Sequence, residues 1–150
     1  MKVLCIVPCG NKKIWDRRPD IGPQKAKNVY IGPLAIKCRE YAERFFPSSW
    51  VILSAKYGFL FPEDLIPAAY DVTFNERDAN SITLKELRIQ AKTKGLYNYE
   101  KIVALGGKNY TAVVKGVFLN KEVYTPLSDC RGIGYMICKL NDAIKKGIPL

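Results

Sequence analysis

Two short segments carry side chains whose types and spacing suit chemistry on a ligand. Ser54-Ala55-Lys56-Tyr57-Gly58 follows an apolar run and sets a hydroxyl, an amine and a phenol beside a glycine. Amphipathic packing explains no such mixture, so the segment reads as a loop built to meet a ligand. Pro8-Cys9-Gly10-Asn11-Lys12-Lys13 follows the first apolar run in the same way. There Cys9 offers a nucleophilic thiol or small packing, and Asn11 an amide that can pair with a base edge or a backbone group. Gly10 supplies the turn. Lys12 and Lys13 offer ammoniums to phosphate or carboxylate.

The remaining chemistry is spread over three more places. Lys56 reads as a phosphate ligand, a nucleophilic amine or a solvated charge. Ser54 orients a ligand or caps its turn. Tyr57 and Tyr70 stack on a base, worth about 1–3 kcal/mol where stacking occurs, or pack in the core. Gly106-Gly107-Lys108-Asn109-Tyr110 ends a third apolar run and opens a helix, and helix-start amides attract anions. It carries neither a dinucleotide fingerprint nor a P-loop ending. Arg131-Gly132-Ile133-Gly134 is comparable, an anion contact or a tight turn. Glu63, Asp64, Asp71 and Asp129 lie in or near these loops, and each suits a general base. Lys13, Lys56 and Asp71 are the candidates for catalysis. Cys9, Gly10, Asn11, Ser54, Tyr57, Gly58, Tyr70, Gly107 and Tyr110 are the candidates for ligand contact.

The elements that must position these loops are legible as periodicities. Val3–Val7, Trp50–Leu53, Lys101–Leu105 and Glu122–Thr125 read as strands, the first three as continuous apolar runs fit for burial on both faces. Pro33 suits a first helical turn, and Leu34, Cys38, Tyr41, Ala42 and Phe45 follow at helical spacing. A second helix carries Leu84, Leu87 and Ala91 inward, with Ser81 as its N-cap and Gly95 as its stop. Asn109–Phe118 and Ile133–Lys146 read as two more, the last turning Ile137, Leu140 and Ile144 inward. Residues 9–29 and 54–80 read as long loops, which inside a compact domain are usually functional.

Strand–helix alternation of this kind predicts one three-layer αβα domain around a parallel sheet of about four strands. Ligands in such sheets bind beyond the carboxyl ends of the strands. All four unusual loops fall at those ends.

Composition narrows the partners. The net charge of +10 is uneven. Residues 1–50 hold ten Lys/Arg against four Asp/Glu, residues 51–100 six against seven, and residues 101–150 eight against three. Such an excess suits phosphate-bearing partners, whose counterions are released on binding, or serves solubility or a thermophile-like lysine habit. The chain has no histidine, which removes Ser-His-Asp and Cys-His mechanisms. Its five cysteines form no C-x-x-C pair, so neither a zinc site nor another cofactor is expected, and free thiols are. The first nine residues are too short for a signal peptide, and no apolar stretch reaches the roughly 20 residues that span a bilayer. A cytoplasmic protein is expected.

Pro8-Cys9-x-x-x-Lys13, the helix after Tyr30, and Glu63-Asp64-Leu65 with Pro67-Ala68-Ala69-Tyr70-Asp71-Val72 resemble one domain of archaeosine synthase. That enzyme stands among the tRNA-guanine transglycosylase-related proteins. The whole chain also resembles small stand-alone proteins that carry the SAKYG signature. The resemblance covers most of residues 3–140 and implies a fold like that of uracil-DNA glycosylases. In the synthase the first motif is tied to adding lysine to a deazaguanine nitrile in tRNA. Lys13 matches its lysine, while Ile14-Trp15 stands where the motif has Pro-Tyr.

Together these features lead to a protein that recognises a base, nucleoside or nucleic acid, with base-modifying or glycosidic chemistry at the strand ends. The rival classes are a non-catalytic nucleic-acid-binding module and an enzyme acting on a small phosphorylated metabolite.

Overall fold

The computed structural model describes residues 2–74 and 80–150. Its elements are β1 (Val3–Pro8), β2 (Gln24–Lys25), α1 (Ala26–Val29), α2 (Pro33–Phe45), β3 (Trp50–Ser54), β4 (Gly58–Leu60), β5 (Leu65–Ile66), α3 (Leu84–Thr93), β6 (Lys101–Ala104), α4 (Lys108–Val117), β7 (Glu122–Tyr124) and α5 (Ile133–Lys146).

Five strands form the main sheet in the order β4-β3-β1-β6-β7. The four read from the sequence are parallel, with Cys5 opposite Trp50, Ile6 opposite Ala104 and Val103 opposite Tyr124. The fold is therefore mixed α/β with a mainly parallel sheet. Successive residues of β1 point to opposite faces. Cys5 and Val7 join a core with Cys38, Tyr41 and Ala42 of α2 and Leu140 and Ala143 of α5. Leu4 and Ile6 join the opposite core with Leu87 and Ala91 of α3 and Val114 and Val117 of α4. Each fully buried Leu or Ile here contributes about 1.5–3 kcal/mol. That two-sided demand is why the strands read as unbroken apolar runs.

Several expectations need correction. The sheet has a fifth strand, β4, which runs antiparallel to β3 as a hairpin. Gly58 opens that strand and is buried, so it is not part of an open loop. The long loops also hold structure: a 3-10 turn at Ile14–Asp16, α1, and a two-stranded ribbon of β2 and β5. Residues 75–79 of the second loop lie outside the described residues. Thr83, rather than Ser81, caps α3, its hydroxyl accepting the Glu86 N–H. The Thr83–Glu86 spacing is that of a capping box, and the two side chains also bond each other at 3.0 Å. Leu84 is exposed rather than buried. No helix among the described residues is long and apolar enough to cross a membrane.

Strand order fixes where a ligand can enter. The chain leaves β1 through α2 to β3 on one side, then crosses through α3 to β6 on the other side of β1. The connections after β1 and β6 therefore diverge, and a crevice opens between them. Close approach there is permitted by Gly106, whose φ is +110° and where a Cβ would stand 3.2 Å from the Pro8 side chain.

Candidate functional site

A cleft of about 770 Å³ occupies that crevice. The loop after β1 supplies Pro8, Gly10, Asn11 and Lys12, and the loop after β6 supplies Gly107, Lys108, Asn109 and Tyr110. The starts of α2 and α5 close two sides through Leu34, Ala35, Ile133 and Met136, while Thr73 and Phe74 cross beside them.

Three helices open on this cleft, and each has a glycine N-cap with no side-chain bond: Gly32 for α2, Gly107 for α4 and Gly132 for α5. Of the two helices outside the cleft, α3 is capped by the Thr83 hydroxyl, and the single-turn α1 follows Lys25 without a side-chain cap. The first amides of a helix lack internal acceptors. Three such ends at one opening, with Lys12 and Lys108 beside them, make it electropositive and rich in donors.

The aromatic wall is built by Tyr110 and Phe74, whose rings meet edge to face at 5.8 Å between centroids. Tyr110 also ties the wall to the floor. Its phenol oxygen accepts the Gly10 N–H at 3.0 Å and lies 3.1 Å from Cys9 Sγ. Burial, and then the neighbouring Cys9, raise the Tyr110 phenol well above its ordinary range, so it stays a neutral hydroxyl.

The second ligand loop does not line this cleft; it forms an adjoining cluster. Ser54 Oγ accepts the Lys56 and Tyr57 N–H groups at 3.2 and 3.1 Å and lies 2.8 Å from the Tyr70 hydroxyl. The Tyr70 and Tyr30 hydroxyls are 2.5 Å apart. Tyr57 meets Tyr70 edge to face. The Lys13 ammonium sits 4.4 Å from the Tyr70 ring centroid and the Lys56 ammonium 5.5 Å from it. Desolvation pushes the Tyr70 phenol up to about 12, with Cys9 adding to it and the Ser54 and Tyr30 bonds opposing it. Tyr30 is raised as well, again mainly by burial.

Lys13 reaches this cluster because residues 9–31 fold back on themselves. Its backbone bridges to Tyr30, Ile31 N–H donates to Lys12 O, and Trp15 Nε1 donates to Gly22 O. The Lys13 N–H donates to Asp16 Oδ2. Its ammonium donates to Asn11 O at 3.1 Å, which links the cluster to the cleft.

The sequence candidates thus fall into two adjoining groups. Gly10, Asn11, Gly107 and Tyr110 line the cleft, with Cys9 buried beneath Tyr110. Lys13, Ser54, Lys56, Tyr57 and Tyr70 form the cluster. Asp71 joins neither: it is exposed, and neither lysine lies within 4 Å of it in an ion pair. Gly58 is held away by α3. Gln90 Oε1 accepts the Phe59 N–H, Gln90 Nε2 donates to Tyr57 O, and a Cβ at Gly58 would stand 2.1 Å from Gln90 Oε1. Phe74, Leu34 and Met136 were not foreseen in the site. Nothing local separates them from core residues, and only the tertiary arrangement brings them to the opening.

The chain matches the model of a family of unknown function, DUF6884, over residues 4–140. It is 48% identical over 147 residues to the uncharacterized protein YfjM of Bacillus subtilis (strain 168), covering 97% of each chain. The chain belongs to the DUF6884 family.

Proposed function

We propose that this member of the DUF6884 family recognises a nucleotide-like ligand, an aromatic base carrying phosphate, in the cleft between the loops after β1 and β6. The observation that carries the reading is the meeting of three helix starts without side-chain caps, Lys12 and Lys108 with the Phe74–Tyr110 wall. The amides and ammoniums suit phosphate, and half-buried rings lining the cleft suit a base. Asn11 and Asn109 carry the donors and acceptors that read a base edge. The cleft lies within the size range of small-ligand sites, about 300–1,000 Å³.

The uneven charge supports a phosphate-bearing partner. The resemblance to the archaeosine synthase domain supports the same reading, with a uracil-DNA glycosylase-like arrangement as the frame. Base-modifying or glycosidic chemistry would draw on Lys13 and Lys56, which stand beside the cleft, rather than on Asp71.

Equilibrium titration of a nucleoside, its monophosphate, single-stranded DNA and tRNA across a salt series tests this. The expected order is monophosphate tighter than nucleoside, with affinity falling as salt rises. Lys108→Gln should erase most of the advantage of the monophosphate, and Phe74→Ala should weaken both. Absence of binding to all four probes at low salt overturns the reading.

A further inference from the structure

The Lys13–Tyr70 cluster has more hydrogen-bond donors than it has acceptors. Lys13 is only 5% exposed, yet no carboxylate among the described residues lies within ion-pair distance of its ammonium. Of its three N–H donors, one goes to Asn11 O and the Tyr70 ring attracts the charge. A buried charge is costly unless it is paired. Lys56, on the same ring and on Tyr57, also has no carboxylate partner among the described residues.

The hydroxyls add to this surplus. A serine hydroxyl has one proton and two lone pairs. Both Ser54 lone pairs are taken by the Lys56 and Tyr57 N–H groups, so its proton is directed to Tyr70. Tyr30 and Tyr70 then hold two protons for the single bond between their oxygens. One phenolic proton has no acceptor among the described residues. Spare ammonium donors, a spare phenol proton and one buried charge without a carboxylate partner converge on one aromatic ring, with the exposed Lys56 ammonium beside them.

We propose that Lys13, Lys56, Tyr30 and Tyr70 form an oxyanion-accepting subsite beside the cleft, which takes a phosphate or carboxylate group. It extends the cleft reading and depends on it only for the remainder of the ligand. The Asn11 backbone joins the two, since its carbonyl holds Lys13 while the residue lines the cleft. An oxyanion supplies acceptors alone, which is what this donor set lacks.

Calorimetric titration of inorganic phosphate and of acetate into the full-length protein at low salt reads the subsite without a nucleotide. The wild-type chain should bind at least one of the two, and the one bound more tightly names the group. Lys56→Gln and Tyr70→Phe should each weaken that binding by roughly ten- to a hundredfold, the effect of losing a hydrogen bond to a charged group. Lys115→Gln, at an exposed lysine of α4 that lines neither the cleft nor the cluster, should leave it unchanged. Lys13→Met should behave as Lys56→Gln, provided its melting curve shows a folded protein. The proposal is overturned if wild type binds neither anion, or if Lys56→Gln and Tyr70→Phe bind as wild type does. Loss in Lys108→Gln alone places the anion in the cleft and overturns the subsite while leaving the cleft reading intact. Phosphate binding that depends on Lys56, in a protein that binds no nucleotide, keeps the subsite and overturns the cleft reading.

Discussion

The Tyr110 phenol reaches across the crevice from the start of α4 and accepts the Gly10 N–H at 3.0 Å. One side chain therefore shapes the aromatic wall and holds the opposite loop. Tyr110→Phe keeps the ring and removes the bond. It leaves a half-buried N–H without its partner and should destabilise the fold by about 1–3 kcal/mol, read from denaturant unfolding. Nucleoside binding should fall less than in Tyr110→Ala, because the stacking surface remains. Equal losses of affinity in both variants would show that the hydroxyl, not the ring, makes the contact.

Gly58 looked like a ligand contact because it ends a polar run after a strand. The structure gives it a backbone task. Its φ is +77°, and the Gln90 amide occupies the place of a side chain. Gln90 and Lys94 both bond Phe59, covering the outer edge of β4 with α3. Gly58→Ala should cost at least the 1–3 kcal/mol typical of a strained backbone conformation, roughly. The melting temperature should drop while the folded fraction binds ligand with unchanged affinity. An altered affinity at unchanged stability would return Gly58 to the ligand loop.

Those two residues show how far the sequence could be read. Strands β1, β3 and β6 were legible because burial on both faces forces unbroken apolar runs. The α5 bounds, Ile133–Lys146, were legible from its helical period. Strand β4 was not, because three residues at a sheet edge owe their conformation to a hairpin and to Gln90, 31 residues further along in the Phe59 bond. The cap at Thr83 is legible from its spacing to Glu86, which Ser81, with Leu84 three residues on, does not share. The positions of Lys13, Ser54 and Lys56 followed from the strand-end rule, and the structure brings all three to Tyr70. Tyr30 and Phe74 could not be placed, since each reaches its group only through a fold-back or a crossing segment.

Buried phenols predict an alkaline limit to stability. The Tyr70 phenol is pushed from 10.0 to about 12, mainly by desolvation, and Tyr30 and Tyr110 are raised too. A folded value above the unfolded one means that the unfolded chain loses its protons first. The contribution is complete below pH 10 and disappears as pH rises toward 12. For Tyr70 it amounts to on the order of 2 kcal/mol. Melting temperature should fall over that window in wild type, and the fall should be shallower in Tyr70→Phe. An identical alkaline slope in both proteins would place the Tyr70 hydroxyl in a solvent-like setting.

Lys56 should matter more to binding than to folding. An ion pair with Glu63 or Asp64 would give its ammonium a purely structural role. Glu63 instead pairs with Lys25 and Lys27, both at 2.7 Å, and Asp64 Oδ2 accepts the Phe61 N–H. Lys56 is exposed and rests its charge on Tyr57 and Tyr70. Lys56→Ala should therefore shift stability by no more than about 0.5 kcal/mol, as surface changes usually do. Its affinity for a phosphate-bearing ligand should fall far more, through loss of a charge-assisted partner. Lys56→Arg should restore only part of it, because a forked guanidinium does not replace a compact ammonium. Melting temperature and affinity measured on the same three proteins decide the matter. A large loss of stability with unchanged affinity would make Lys56 a structural residue, braced on its two tyrosines with no part in binding.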